Sequence, residues 1–411
     1  MNKIESLLQN MHPEGVQYKH LWEITIWDKR FNEVDNFKQP RVNNYKYYLA
    51  SDLKALASEN GYIKLLTTNK SDLWTSRDET NDTPAEGEIV AIPWGGNPIV
   101  QYYKGEFFTA DNRIATAMDE NELDVKYLYH YLNSKIELIA EFYRGSGIKH
   151  PSMEKVLDLE IPLPPITVQR EIVSILDNFT ELIDGLKMEL EARTLQYDFY
   201  RRMLLEEENE KIEYQLHTLG SISKKVSSGS TPLANDPRYY EDGTIPWLRT
   251  QEVKFNEIFD TEIKVTNAAL EETSIKWIPE NCVIIAISGA TAGRSAVNKI
   301  PLTTNQHCCN FEIDPLIADY RYVYHWVASN YEHIKSMGQG VRSDLNAGQL
   351  KEYPIRLPSL PEQIKISGLL DKFNLLTKSE SFGIPAEISA RQRQFEYYRK
   401  KIMSFEMLGA L

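Results

Sequence analysis

The chain has little of what would mark a secreted, membrane-bound or catalytic protein. Three cysteines in 411 residues, Cys282, Cys308 and Cys309, make neither a disulfide framework nor a metal-site spacing. No apolar run approaches the roughly 18 residues needed to span a bilayer. The longest clean run lies near Cys282–Ile287, and the opening MNKIESLLQN lacks a signal-peptide pattern. A reducing cytoplasm and no membrane are therefore expected. Catalytic signatures are missing together: there is no H-E-x-x-H, no C-x-x-C and no G-x-S-x-G. Ser288–Ser295 is too short for a phosphate loop and carries Arg294 where that loop needs lysine. Asn97-Pro-Ile-Val100 lacks the second proline and the ring with which an adenine methyltransferase holds its target amine. The eight histidines are scattered, which reads as structural or surface use.

Positive charge is also short. Lysine and arginine number 46 against 59 acidic residues, a net charge of −13, which argues against a general nucleic-acid coat protein. The sign that matters at a surface is the local one, however. Residues 180–213 hold ten acidic side chains against five basic ones, including Glu206–Glu208, and read as a helix. At 42% hydrophobic and 26% charged the chain is ordinary globular protein, and its length implies two or more domains.

What the chain does have is a repeat. Ile161–Phe179, IPLPPITVQREIVSILDNF, returns as Ile355–Phe373, IRLPSLPEQIKISGLLDKF, at an offset of 194. Arg193–Arg202 returns as Arg391–Lys400 at an offset of 198, so the second copy carries four extra residues. Fainter parallels precede these blocks. Gly145–Lys149 matches Gly338–Arg342, and Glu88–Gly95 sits against Cys282–Gly289. Gln17, Leu21 and Ile24 face Gln215, Leu219 and Ile222. Solenoid units run to roughly 50 residues, so this long period is a duplicated domain pair.

The repeated segment enters through prolines, which cannot lie inside a helix. Apolar residues then recur at Ile172, Leu176, Phe179, Ile183, Leu186, Leu190, Tyr197, Tyr200 and Leu204. Spacing that alternates four and three predicts a helix packed on another helix over about four heptads. From Gln169 to Lys211 it would run about 60 Å at 1.5 Å per residue. In the second copy Gly383 and Pro385 predict a break and a new helix, after which Phe395 and Tyr398 restore the seam. Two similar helices in one chain bury both seams by pairing, and an antiparallel pair with approximate two-fold symmetry is expected. Structural helices with no further meaning are the plain alternative.

The intervening stretches are rich in Tyr, Trp, Thr, Asn and Gly, with short strand-like runs and helical patterns at Lys126–Phe142 and Ile317–Met337. Each reads as a mixed α/β domain. In the second, Ser228, Ser230 and Thr231 lie in a Gly-Ser-Thr-Pro stretch suited to close approach to phosphate, and Arg238 follows. Arg249 and Gln251 are side chains suited to guanine and adenine edges. The competing reading is a polar turn before a buried Trp247. Arg294, Gln306 and Arg342 add polar reach. In the first domain Lys38, Arg41, Lys46 and Arg77, with Tyr45, Tyr47, Tyr48 and Trp74, form a basic-aromatic cluster, and Lys149 lies further on. Exposed, this cluster suits DNA; partly buried, its tyrosines are core.

With these residues in view the chain resembles the specificity subunits of type I restriction-modification systems over nearly its whole length. The resemblance rests on the duplicated L-P-x-x-x-x-x-Q block, Leu163–Gln169 and Leu357–Gln363, with its following helix. It rests also on Gly229–Pro232 with Ile245–Trp247; the first domain lacks an equivalent Gly-Ser-Thr-Pro. The implied fold class is α/β (α+β), with two target-recognition domains separated by two long helices paired as an antiparallel coiled coil. The implied boundaries are 1–155 and 212–350 for the domains, with helical spacers at 156–211 and 351–411. Each domain would read one half of a gapped site in double-stranded DNA, with equivalent groove faces about one turn, roughly 34 Å, or a multiple apart.

The resemblance further implies that the helices dock two methyltransferase subunits and a restriction subunit. Ile172, Leu176, Phe179, Ile183, Tyr197, Tyr200, Leu370, Phe373, Phe395 and Tyr398 would carry that surface. S-adenosylmethionine would sit on the methyltransferase and ATP on the restriction subunit; this chain would bind no cofactor or metal and supply no catalytic residue. The unpartnered chain could self-associate. A specificity chain of a type II-like enzyme, or a coiled-coil scaffold with no DNA role, stay open as alternatives.

Overall fold

The computed structural model describes residues 16–205, 212–338 and 344–404. Two compact units emerge, Met1–Leu186 with Ile388–Leu411, and Lys187–Glu387. Each unit thus takes part of one repeated segment together with part of the other.

In the first unit a six-stranded sheet runs Thr25–Trp27, Asn112–Ala117, Ala85–Pro93, Gln101–Thr109, Ile63–Leu66, Trp74–Thr75. Helix α1 (Val125–Ser134) packs on it, and Gln17–His20 pairs antiparallel with Glu160–Leu163. The long helix α2 (Ile166–Leu205) follows directly. In the second unit a five-stranded sheet runs Ser223–Ser228, Cys308–Ile313, Val283–Ala286, Ser295–Asn298, Asn256–Ile258. A separate four-stranded sheet runs Lys264–Val265, Ile245–Leu248, Leu302–Thr304, Trp277–Ile278. Helix α3 (Tyr320–Ser329) covers the larger sheet, and Gln215–Thr218 pairs with Pro354–Leu357. Helices α4 (Leu360–Lys378) and α5 (Ile384–Ile402) complete the second repeat.

Both units share a four-strand antiparallel core with the same chain order, first strand, last, second, third. Its register corrects the alignment of Glu88–Gly95 with Cys282–Gly289. Val90 pairs with Ala115 as Val283 pairs with Phe311, an offset of 193, not 194. Burial agrees: Val90 and Ile92 join the helix-side core, as Val283 and Ile285 do, while Ile284 and Ala286 face the other way. A slip of one residue in a strand exchanges its faces, so sequence similarity alone was a poor guide to this register.

The residues identical between the repeats attach helix to sheet. Gln169 is fully buried; its amide oxygen accepts the Asp124 N–H at 2.9 Å, and its nitrogen donates to the Glu122 and Pro164 carbonyls, both at 2.8 Å. Gln363 does the same with Asp319 N–H at 2.9 Å and the Pro358 carbonyl at 2.9 Å. Asp124 and Asp319 in turn cap α1 and α3. Asp177 takes Lys126 at 2.7 Å and His130 at 3.4 Å; Asp371 takes Arg321 at 2.9 Å and His325 at 2.7 Å. Tyr127 and Tyr322 donate to the Pro162 and Arg356 carbonyls. The D-x-x-Y-x-x-H spacing that links α1 to α3 is visible in the sequence once the helices are aligned.

The helices pair start to end within each unit. In the first, Phe179 of α2 meets the rings of Phe395 and Tyr398 of α5, centroids 6.3 and 5.8 Å apart. In the second, Phe373 of α4 meets Tyr197 and Tyr200 of α2 at 6.1 and 5.8 Å. Equivalent positions of the two repeats are therefore exchanged, which is the antiparallel coiled coil with an internal repeat. The predicted break is present. Gly383 has φ +93°, and a Cβ there would lie 2.4 Å from the Leu375 carbonyl oxygen at the end of α4. The acidic run Glu206–Glu208 lies outside the described residues.

Candidate nucleic-acid interface

The basic-aromatic cluster of the first unit is mostly internal structure. Lys38 is half-buried, its ammonium held by Asp158 at 2.6 and 2.9 Å. Lys46 pairs with Asp82 at 2.5 Å and Arg77 with Glu106. Tyr45 and Tyr48 pack on Phe107 and Phe108, and Tyr47 donates to Asp28. Arg41 and Lys149 are exposed and take part in no ion pair among the described residues. Of the two readings open for this cluster, the tyrosines follow the partly buried one, and acidic neighbours distant in sequence take up three of its four cations.

The second unit tells a similar story. Gly229 is required by packing, since a Cβ there would stand 1.8 Å from the Thr304 carbonyl oxygen. Ser230 donates its N–H to that carbonyl at 3.0 Å, accepts from Ser274, and gives its own carbonyl to the Trp247 indole. Thr231 donates to Gln306, and Ser228 is exposed at a strand end opposite Cys309. Arg238 is exposed and held by Asp236 and Glu272 at 2.7 and 3.3 Å. Arg249 reaches Glu262 at 2.6 Å and Glu252 at 3.5 Å, and Gln251 turns its amide oxygen to the same guanidinium at 2.8–3.0 Å. The pair suited to base edges thus binds each other, and Trp247 before it is buried, as the competing polar-turn reading has it. Arg294 is half-buried in a turn with Gly289 and Gly293 at positive φ, and Arg342 lies outside the described residues.

The apolar residues expected to face partners are covered by this chain. Ile172, Leu176, Ile183, Tyr197 and Leu370 are buried, and Phe179, Tyr200, Phe373, Phe395 and Tyr398 are half-buried in the contacts described above. The outward apolar side chains of α2 are Leu182, Met188, Leu195 and Phe199.

Sequence reasoning missed a buried cation. Arg113 is fully buried, 3.0 Å from the equally buried Asp28, and paired also with Asp111. Its guanidinium lies 4.6 Å from the Trp94 ring centroid. Burial raises the Asp28 carboxyl above its ordinary 3.8, although the Tyr47 hydroxyl and Arg113 pull it down. Trp94 also lines a cleft of about 510 Å³ that includes Lys29, Arg30, Arg144 and His150. Burial pushes the Cys282 and Cys309 thiols up to about 12, so neither is a ready nucleophile. Among the described residues no group of His, Cys, Asp or Glu is placed to hold a metal, and no helix is long and apolar enough to cross a membrane.

Residues 29–192 and 211–390 each match the type I restriction modification DNA specificity domain. The chain belongs to this family. As a type I specificity subunit it carries one match on each repeat. The EcoR124I/EcoR124II specificity subunit of Escherichia coli is 33% identical over 311 residues, covering 71% of this chain and 74% of that one. A type I specificity subunit of Haemophilus influenzae is 29% identical over 396 residues, 92% of this chain and 95% of its own. Among solved structures, the S subunit of the type I system of M. genitalium has a TM-score of 0.60 at 18% identity, covering 95% of this chain and 96% of that one. HsdS of Thermoanaerobacter tengcongensis has 0.51 at 14%, covering 96% of each chain. At such identities the structural likeness speaks for the fold.

Proposed function

We propose that this chain reads a gapped, two-part DNA site, one half in each unit, and carries two methyltransferase subunits and a restriction subunit to it. One observation carries the reading: the DNA specificity domain occurs twice, on 29–192 and 211–390. The two copies share a four-strand core and a capped helix, while the loops and strands added to that core differ. A repeated frame with diverged additions suits two different half-sites. In this reading the chain supplies no catalytic residue and binds no cofactor. S-adenosylmethionine belongs to the methyltransferase, ATP to the restriction subunit, and the whole works in the cytoplasm. The exposed Met188, Leu195 and Phe199 of α2 offer apolar surface for docking, and the unpartnered chain would self-associate through it.

Co-expression with its methyltransferase in a methylation-free host, followed by sequencing for N6-methyladenine, tests this. A gapped motif that disappears when this chain is omitted is the expected result. A soluble, assembled complex that methylates no motif would overturn it in favour of a scaffold.

A further inference from the structure

In a chain of net charge −13, cations free of carboxylate partners are informative when they gather. In the first unit Lys38, Lys46, Lys64, Arg77 and Lys104 are each held by a carboxylate. No described ion pair involves Lys29, Arg30 or Arg144, and all three line the same cleft. The acid in that lining, Glu33, is already engaged, accepting the Met153 N–H at 2.7 Å.

The cleft is built from three segments, each fixed by the core. Lys29 follows buried Asp28, whose carboxylate also accepts the Ile114 N–H at 3.0 Å. The loop after Arg30 is pinned by buried Phe31 and by Gln39, which exchanges hydrogen bonds with the Phe31 main chain at 2.6 and 3.1 Å. Trp94 forms a wall, with the Arg113 guanidinium 4.6 Å and the Lys29 ammonium 5.7 Å from its ring centroid. Arg144 opens a tight loop that closes at His150, their strands paired in register. That loop is tied to the Trp94 segment: His150 Nδ1 lies 2.7 Å from the Trp94 carbonyl, and Gly96 donates to the Lys149 carbonyl at 3.2 Å.

Asp28 donates its N–H to the Ile114 carbonyl, and Ser227 of the second unit pairs with Asn310 at the equivalent place. The edge strand therefore delivers Lys29 in one unit where it delivers Ser228 in the other. The same exit point carries cations in the first unit and neutral hydroxyls in the second.

We infer that the Lys29–Arg30–Arg144 cleft is where the first unit grips DNA, through phosphodiester oxygens of the backbone and not through base edges. This rests on the reading given under Proposed function. Lys29, Arg30 and Arg144 have no carboxylate partner among the described residues and no hydrogen-bond partner that would fix a fork for base reading, which suits phosphate charge. Phosphate contacts position a protein without selecting sequence.

The test uses the assembled methyltransferase complex and two duplexes, one with the methylated motif and one scrambled. Affinity is measured across a salt series for Lys29→Gln/Arg30→Gln/Arg144→Gln and for Arg30→Gln alone, with co-purification of methyltransferase as the check on folding. The expected result is a log–log salt slope shallower by about 2.7 for the triple variant and about 0.9 for the single one. Affinity should fall by one common factor on both duplexes, and the methylated motif should stay unchanged. A wild-type slope and affinity in the triple variant would overturn the inference and leave the proposed function standing. A relaxed half-site at unchanged slope would also overturn it, by making these base contacts. If the wild-type complex did not prefer its motif, the proposed function and this inference would fall together.

Discussion

Where the first unit buries Arg113 against Asp28, the second places Cys309 and Ser227 at the equivalent positions of the same sheet. One frame thus holds a desolvated ion pair in one copy and a small thiol in the other. The helix-attaching groups, by contrast, are repeated almost atom for atom: Gln169 and Gln363, Asp124 and Asp319, His130 and His325. The difference separates two constraints. Positions that join helix to sheet must satisfy buried main-chain groups, and a glutamine that bridges three of them has few substitutes. Positions at strand ends and loops answer to whatever each unit faces, and they have diverged.

The largest test of this contrast is Arg113→Ala. It strands a buried carboxylate and should cost about 3–5 kcal/mol. Cys309→Ala should cost about 1 kcal/mol, as an ordinary core substitution does. Denaturant unfolding followed by hydrogen exchange in each unit reads both; equal costs would show that the ion pair is not what distinguishes the first unit. Next come the helices. Gly383→Ala forces a side chain into a positive-φ site against helix carbonyls and should cost about 1–3 kcal/mol. Gly185 lies inside unbroken α2 with open space around it, so Gly185→Ala should gain about 0.5–1 kcal/mol. A loss at Gly185 would mean that α2 needs flexibility there.

The smallest effect concerns acid. Burial pushes the Asp177 carboxyl up, but hydrogen bonds from His130 and Lys126 outweigh it and leave it below the ordinary 3.8. Its contribution is therefore full above 3.8 and fades as pH falls through the lower folded value. Asp177→Asn should flatten the loss of stability on the acid side of pH 4 by at most about 1 kcal/mol, given its partial exposure. An unchanged acid profile would show that the clasp contributes nothing there.

Much of the architecture was legible in the residues. The seam Ile172–Leu176–Phe179–Ile183 gave the helix, Gly383 with Pro385 its break, and the repeated blocks the duplication, because period and backbone chemistry are local properties. The candidate contact residues were less legible. Lys38, Lys46, Arg77 and Arg249 look available in a linear reading, yet their carboxylates come from Asp158, Asp82, Glu106 and Glu262. Three of these four carboxylates lie between 29 and 120 residues away along the chain. The partners of a charge are set by which strands are neighbours, and no local pattern records that.

The sequence by itself thus determined that there are two related domains and two helical segments that must bury a seam. Only the tertiary structure decided which buried groups attach each helix to its sheet, that the strand register differs by one from the apparent alignment, and which carboxylates hold which cations. The physical reason is the range of each effect. Helix period and glycine conformation act over a few residues, whereas burial, register and ion pairing depend on groups brought together by the whole fold.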